Sequence, residues 1–143
     1  MTKKKRIPKP IHPMIVHKLT KEESDSLKNA PRVGHIRFSE NIGTATNWYD
    51  MTLRLQIGRL LVKNTSKRCE YTEEVTKVLD LARTASDEIR QRAVSVSPQV
   101  WTASDAELLR LGDGLDVVDD LQDICTRLEL LKAHRQAQRL IKT

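Results

Sequence analysis

The sequence predicts an all-α fold, a small antiparallel helical bundle, and three observations predict it. Aromatic residues make up only 3% of the chain, so Leu, Val, Ile and Ala must build the core. Strands favour aromatic and β-branched side chains, which argues for helices instead. After Pro31 only Pro98 interrupts the chain, leaving two proline-free blocks, 32–97 and 99–143, where helices can run. Within those blocks apolar residues recur at three- and four-residue steps. A length of 143 residues suits one domain. The expected organisation is a basic, flexible tail over 1–18 and a single helical domain over 19–143.

A short helix is expected over "LTKEESDSLKNA", opened by a capping box of Thr20 with Glu23 and closed before Pro31. Residues 30–43 read as an irregular connection that drapes Val33, Ile36 and Phe38 over the core. The second helix spans roughly 44–64. Its apolar residues fall on two sides, Trp48, Met51, Leu55 and Val62 on one and Leu53, Ile57, Leu60 and Leu61 on the other. A helix apolar nearly all round belongs in the middle of a bundle. Gly58 costs about 1 kcal/mol of helix propensity relative to Ala, which points to a close crossing by a neighbour.

The third helix starts with Thr72 as N-cap and Glu73 and Glu74 in its first turn, where acids suit the helix dipole. Val75, Val78, Leu79, Ala82, Ala85, Ile89 and Ala93 give it one apolar face. A loop around Pro98 reverses the chain, and Ser104 with Glu107 forms a capping box that opens the last helix. Val117, Leu121, Ile124, Leu128 and Leu131 have the spacing of a seam between packed helices. That helix is expected to run from 104 to 141, about 57 Å, with Gly112 and Gly114 as the places where it would bend or divide. The count is three substantial helices and one short one. Homodimerisation through the Leu121 to Leu131 seam is expected. Trp48 and Trp101 read as packing residues, Trp101 as a hydrophobic staple before the last helix.

The net charge is +6, yet Lys3, Lys4, Lys5, Arg6 and Lys9 carry five of those charges within the first ten residues. The rest of the chain is nearly neutral, with 20 Lys and Arg against 19 Asp and Glu. Residues 104–123 hold seven acids against one Arg, and 126–143 hold five bases against one Glu. Asp113, Asp116, Asp120 and Asp123 form a stripe on one helix. A straight stripe cannot surround a hard cation, so a solvated face or a patch for a basic partner is the better reading. The protein's own tail is one such partner. Arg127, Arg135 and Arg139 mark a basic C-terminal end.

The four histidines are dispersed, with no second ligand at helical spacing, and Cys69 and Cys125 stand far apart with no CxxC. No phosphate loop or GxSxG is present. No enzyme, metal or cofactor is therefore expected. Without a signal-like apolar stretch or a spanning run, a soluble cytoplasmic protein with no membrane association is expected. The basic tail reads equally as a phosphate-contacting arm or as a solubilising terminus, and no helix-turn-helix stands out.

The start "KKKRIPKP", the helix "NWYDMTLRLQIGRLL", the stretch "IRQRA" and "WTASDAELLRLGDGLDVVDDLQDICTRLELLKA" resemble small all-helical proteins of proteobacterial prophages and other mobile elements. Some of these carry a Fis-type regulator label. The resemblance implies a mobile-element origin and a bacterial cytoplasm, and it carries over no catalytic residue. The expected function is a non-enzymatic phage or mobile-element protein that acts by occupying a host protein of a defence or regulatory system. The alternative is a small DNA-binding regulator using the tail and the C-terminal helix.

Overall fold

The computed structural model describes residues 18–65 and 71–141, so Lys3, Lys4, Lys5, Arg6, Lys9 and the tail they belong to lie outside the described residues. The described chain is all-α, with five helices and no strand among them: α1 Lys21–Ser39, α2 Ala45–Thr65, α3 Thr72–Val94, α4 Asp105–Ile124 and α5 Arg127–Leu140. The expected count of three helices and a short one is corrected to five.

The first correction is at α1, which opens with the Thr20–Glu23 capping box but runs through Pro31 instead of stopping before it. A proline inside a helix removes the hydrogen bond to the carbonyl four residues back, at a cost of about 3 kcal/mol. Burial offsets it, because Pro31, Gly34 and Phe38 are all buried. Residues 30–39 are thus helical, and Val33 and Ile36, expected over the core, face outward. The helix ends in a Schellman turn: Ile42 N–H donates to the Arg37 carbonyl (2.9 Å) and Asn41 N–H to that of Phe38 (3.2 Å). Asn41 takes the left-handed conformation, φ 59°, which asparagine tolerates better than most residues.

The second correction is at the C-terminal end. No single helix runs from 104 to 141. The break falls at Cys125 and Thr126, both extended, where a further capping box of Thr126 with Glu129 starts α5. Gly112 and Gly114 lie inside α4 and do not divide it. The seam from Leu121 to Leu131 is interrupted by this break, and Leu121 and Leu130 face the core. At α3 the N-cap is Tyr71, and Thr72 is the first helical residue.

α2 is the hub, packed against all four other helices, and α4 also contacts α1 and α3. Met51, Leu55, Leu61, Leu79, Leu111 and Val118 are fully buried between them. The close crossing expected at Gly58 is present: a Cβ there would lie 2.3 Å from Val118 Cγ2. Gly114 does the same from α4, where a Cβ would meet Ala82 Cβ at 2.6 Å. Trp101 is half-buried with its ring 5.6 Å from that of Trp48, so it packs across to α2. Trp48 Nε1 donates to the Ser86 carbonyl at 2.9 Å.

Candidate binding groove

Charge on α4 is answered chiefly by α1. The Arg32 guanidinium donates to Asp116 (2.5 Å) and Asp119 (2.6 Å), and Lys28 pairs with Asp123 (3.1 Å). Asp119 also accepts from Arg54 Nη2 at 3.0 Å, so it sits between two arginines. All four acids of the stripe are exposed; Asp116 and Asp123 are paired with α1, while Asp113 and Asp120 face solvent. At the start of α5, Arg127 forms a two-pronged ion pair with Glu23, which holds that carboxyl down at about 2. Arg135 and Arg139 are exposed. Among the described residues, the sequence-derived site residues are spread along α4 and α5, and of them Arg127 alone lines the groove described next.

A different set does converge. Between α1, α2 and α5 lies a half-open groove of about 590 Å³. Leu27, Ala30 and Pro31 of α1, Leu53 and Ile57 of α2, and Leu128, Leu130 and Leu131 of α5 line it, with Leu19 beside them. Leu27 is 45% exposed and Leu131 48% exposed. Pockets of this size and apolar character, set between helices, are the usual form of binding sites. The bend of the chain at Thr126 creates it: α5 leaves the line of α4, and Leu27, Ala30 and Pro31 near the middle of α1 form the facing wall.

Four polar side chains also line this groove, Asp50, Arg54, Arg127 and His134. Arg54 is 5% exposed, and only its Nη2 has an acceptor; its Nε is buried without a partner. Arg127 Nε is likewise buried and unpartnered. A buried guanidinium N–H without an acceptor costs roughly 1–3 kcal/mol, so each marks a place where an acceptor would stabilise. Burial pushes the Asp50 carboxyl up, which disfavours its charged form. No hydrogen bond joins Asp50 to His134, and no group of three or more metal-ligating side chains occurs among the described residues.

A second cleft of about 340 Å³ lies between α2, α3 and the end of α5. It is polar and carries Arg59, Arg83 and Arg90, with Asp87 among them. Arg90 lies over the Trp48 ring, 5.9 Å from its centroid. Its aromatic floor and arginine rim went unnoticed in the sequence, because Arg83 and Arg90 lie two turns apart on α3 and Arg59 comes from another helix. No protein-family model, curated protein or solved structure matches this chain.

Proposed function

We propose that this protein is a non-enzymatic binding module that acts by seating an apolar helix of another protein in the groove between α1, α2 and α5. The observation that carries the reading is the exposure of Leu27 and Leu131 on the two lips of an apolar groove about 590 Å³ in volume. Apolar helices dock in grooves of this kind through residues one turn apart. The reading places the protein in a bacterial cytoplasm, as a mobile-element product that occupies a host protein. No helix among the described residues is long and apolar enough to cross a membrane.

The test is capture of host proteins by the full chain and by a Leu131→Asp variant, each with and without nuclease. A partner retained by the full chain, lost with Leu131→Asp and indifferent to nuclease supports the reading. Equal capture by both chains rejects the groove.

A second reading, nucleic-acid binding, is favoured by the arginine-lined cleft and by Arg135 and Arg139 on the outer face of α5. Together with the basic tail they would contact phosphates, giving affinity that falls steeply with salt. Binding to duplex DNA across a salt series, with and without residues 2–9, tests it. No binding by the full chain at low salt removes this reading.

A further inference from the structure

We infer that the groove is held, before any partner arrives, by the chain's own residues 11–16, which an incoming helix must displace. This rests on the groove being a docking surface, and it goes further by naming the first occupant and the competition a partner has to win.

Residues 1–17 lie outside the described residues, and the described chain begins at the groove itself. Leu19 lines the groove and packs against the core. Thr20, the next residue, is extended and caps α1, so Leu19 is the point where the preceding segment meets the groove. Val16 is three residues back from Leu19 and Ile15 four, spans of at most about 11 and 14 Å. Neither residue can lie far from the lining.

The stretch that arrives there has a matching chemistry. Residues 10–17, "PIHPMIVH", carry no Lys, Arg, Asp or Glu, and Ile11, Met14, Ile15 and Val16 are apolar. Lys9 and Lys18 flank it, and the basic run from Lys3 to Arg6 lies further back along the chain. Facing it, Leu27 and Leu131 are 45% and 48% exposed on the lips of a mostly aliphatic lining. Seating one against the other removes apolar area from water on both sides.

The tether decides how full the groove stands. Only His17 and Lys18 separate the stretch from Leu19, and a short link gives an effective concentration in the millimolar range. A stretch that as a separate peptide bound with a Kd of about 1 mM would be seated about half the time, and one of about 0.1 mM would leave roughly a tenth of the chains open. A partner's apparent affinity falls by that open fraction. Pro13 disfavours the helical conformation at His12, so the stretch offers one short apolar run. A partner helix that presents several anchors one turn apart can displace it, whereas a weakly apolar one cannot.

The experiment follows the full chain by methyl NMR, with dodecanol as an uncharged probe of the groove. Nuclear Overhauser contacts from the Ile15 and Val16 methyls to those of Leu27 and Leu131 are expected, unchanged on tenfold dilution. The full chain carrying Ile15→Asp and Val16→Asp should lose them, show shifted Leu27 and Leu131 methyls, and bind dodecanol about tenfold more tightly, matching a groove nine-tenths closed in the parent. A peptide of residues 9–18 added to that variant should return the Leu27 and Leu131 signals towards their parental positions.

Absence of the Overhauser contacts, or equal dodecanol binding by parent and variant, overturns the inference and leaves the groove reading standing as long as dodecanol shifts the Leu27 and Leu131 methyls. Dodecanol that perturbs the groove of neither chain, with no Overhauser contacts, overturns both. Contacts that fade on dilution, or that join a labelled chain to an unlabelled one, make the occupant a second copy, and the inference falls.

Discussion

Asp119 shows how much one residue can hold. It is the shared acceptor of Arg32 and the buried Arg54, 2.6 and 3.0 Å away. Removing one member of a buried ion pair leaves the other charge uncompensated, at a cost of about 3–5 kcal/mol. Asp119→Asn should lower unfolding free energy by about that much in urea, whereas Asp113→Asn, on an exposed and unpaired acid, should stay within about 0.5 kcal/mol. Equal effects would show that the arginines rely on solvent. The stripe of Asp113, Asp116, Asp120 and Asp123 was legible in the sequence, but Asp119 was not, being one position off that stripe. Helical spacing places acids on a face; it does not say that α1 supplies Arg32 to meet them.

Glu107 gives a second test at this scale. It is buried, which raises its carboxyl, but the Arg92 guanidinium at 2.5 and 2.7 Å and the Ser104 backbone N–H outweigh burial and hold it at about 2. Because the folded value lies below the ordinary 4.5, its contribution is fully present above pH 4.5 and is lost as the pH falls towards 2. Glu107→Gln keeps a side chain able to form the capping box but removes the charge. The variant should be less stable at neutral pH by about 1.5–3 kcal/mol, with a shallower loss of Tm on going below pH 4.5. Glu23, held down by Arg127, titrates in the same window, so part of the acid loss should survive the change. Parallel Tm profiles for the variant and the parent would contradict the role given to the Arg92 pair.

Among elements, the crossing of α2 and α4 depends on missing side-chain atoms. Gly58 lets Val118 approach to a point where a Cβ would meet Cγ2 at 2.3 Å, with Leu79 behind. Gly58→Ala gains helix propensity of about 1 kcal/mol but overfills a packed contact, which costs about 1–3 kcal/mol. Net destabilisation is expected. Adding Val118→Ala should recover more stability in the double variant than the two separate effects would sum to. Simple additivity, measured by chemical denaturation, would mean the helices can shift apart freely. This crossing was readable in advance, since a glycine inside an apolar helix has few other uses. The division between α4 and α5 was written just as openly in the Thr126–Glu129 capping box, yet the run from Val117 to Leu131 spans it without losing its spacing. Continuous periodicity concealed a local stop. Pro31 misled in the opposite direction, because burial of α1 outweighed a breaker that local rules treat as decisive.

At the scale of the whole molecule, the helices are unequally held. α2 and α4 are enclosed by neighbours, while α5 packs chiefly on α2 through Leu130, Ala133 and Ala137. A further tie is the ion pair of Arg127 with Glu23, which fastens its first turn to the start of α1. These two helices are opposing walls of the groove, so the clip that joins them also sets how wide the groove stands. Regions with few buried contacts open at lower free energy than the core. Amide hydrogen exchange should therefore release α5 before α2 and α4, and Glu23→Gln should speed exchange in α5 and the first turns of α1 while leaving the contact of α3 with α4 unchanged. With the clip weakened, more of the chain would sample an open groove. An apolar probe such as dodecanol should then enter faster, and a helix needing both walls should leave sooner. If α5 instead exchanges only with global unfolding, and Glu23→Gln does not alter that, the groove is a rigid, preformed slot. Selection of a partner would then rest on the shape of the walls, without any contribution from how far the walls can part.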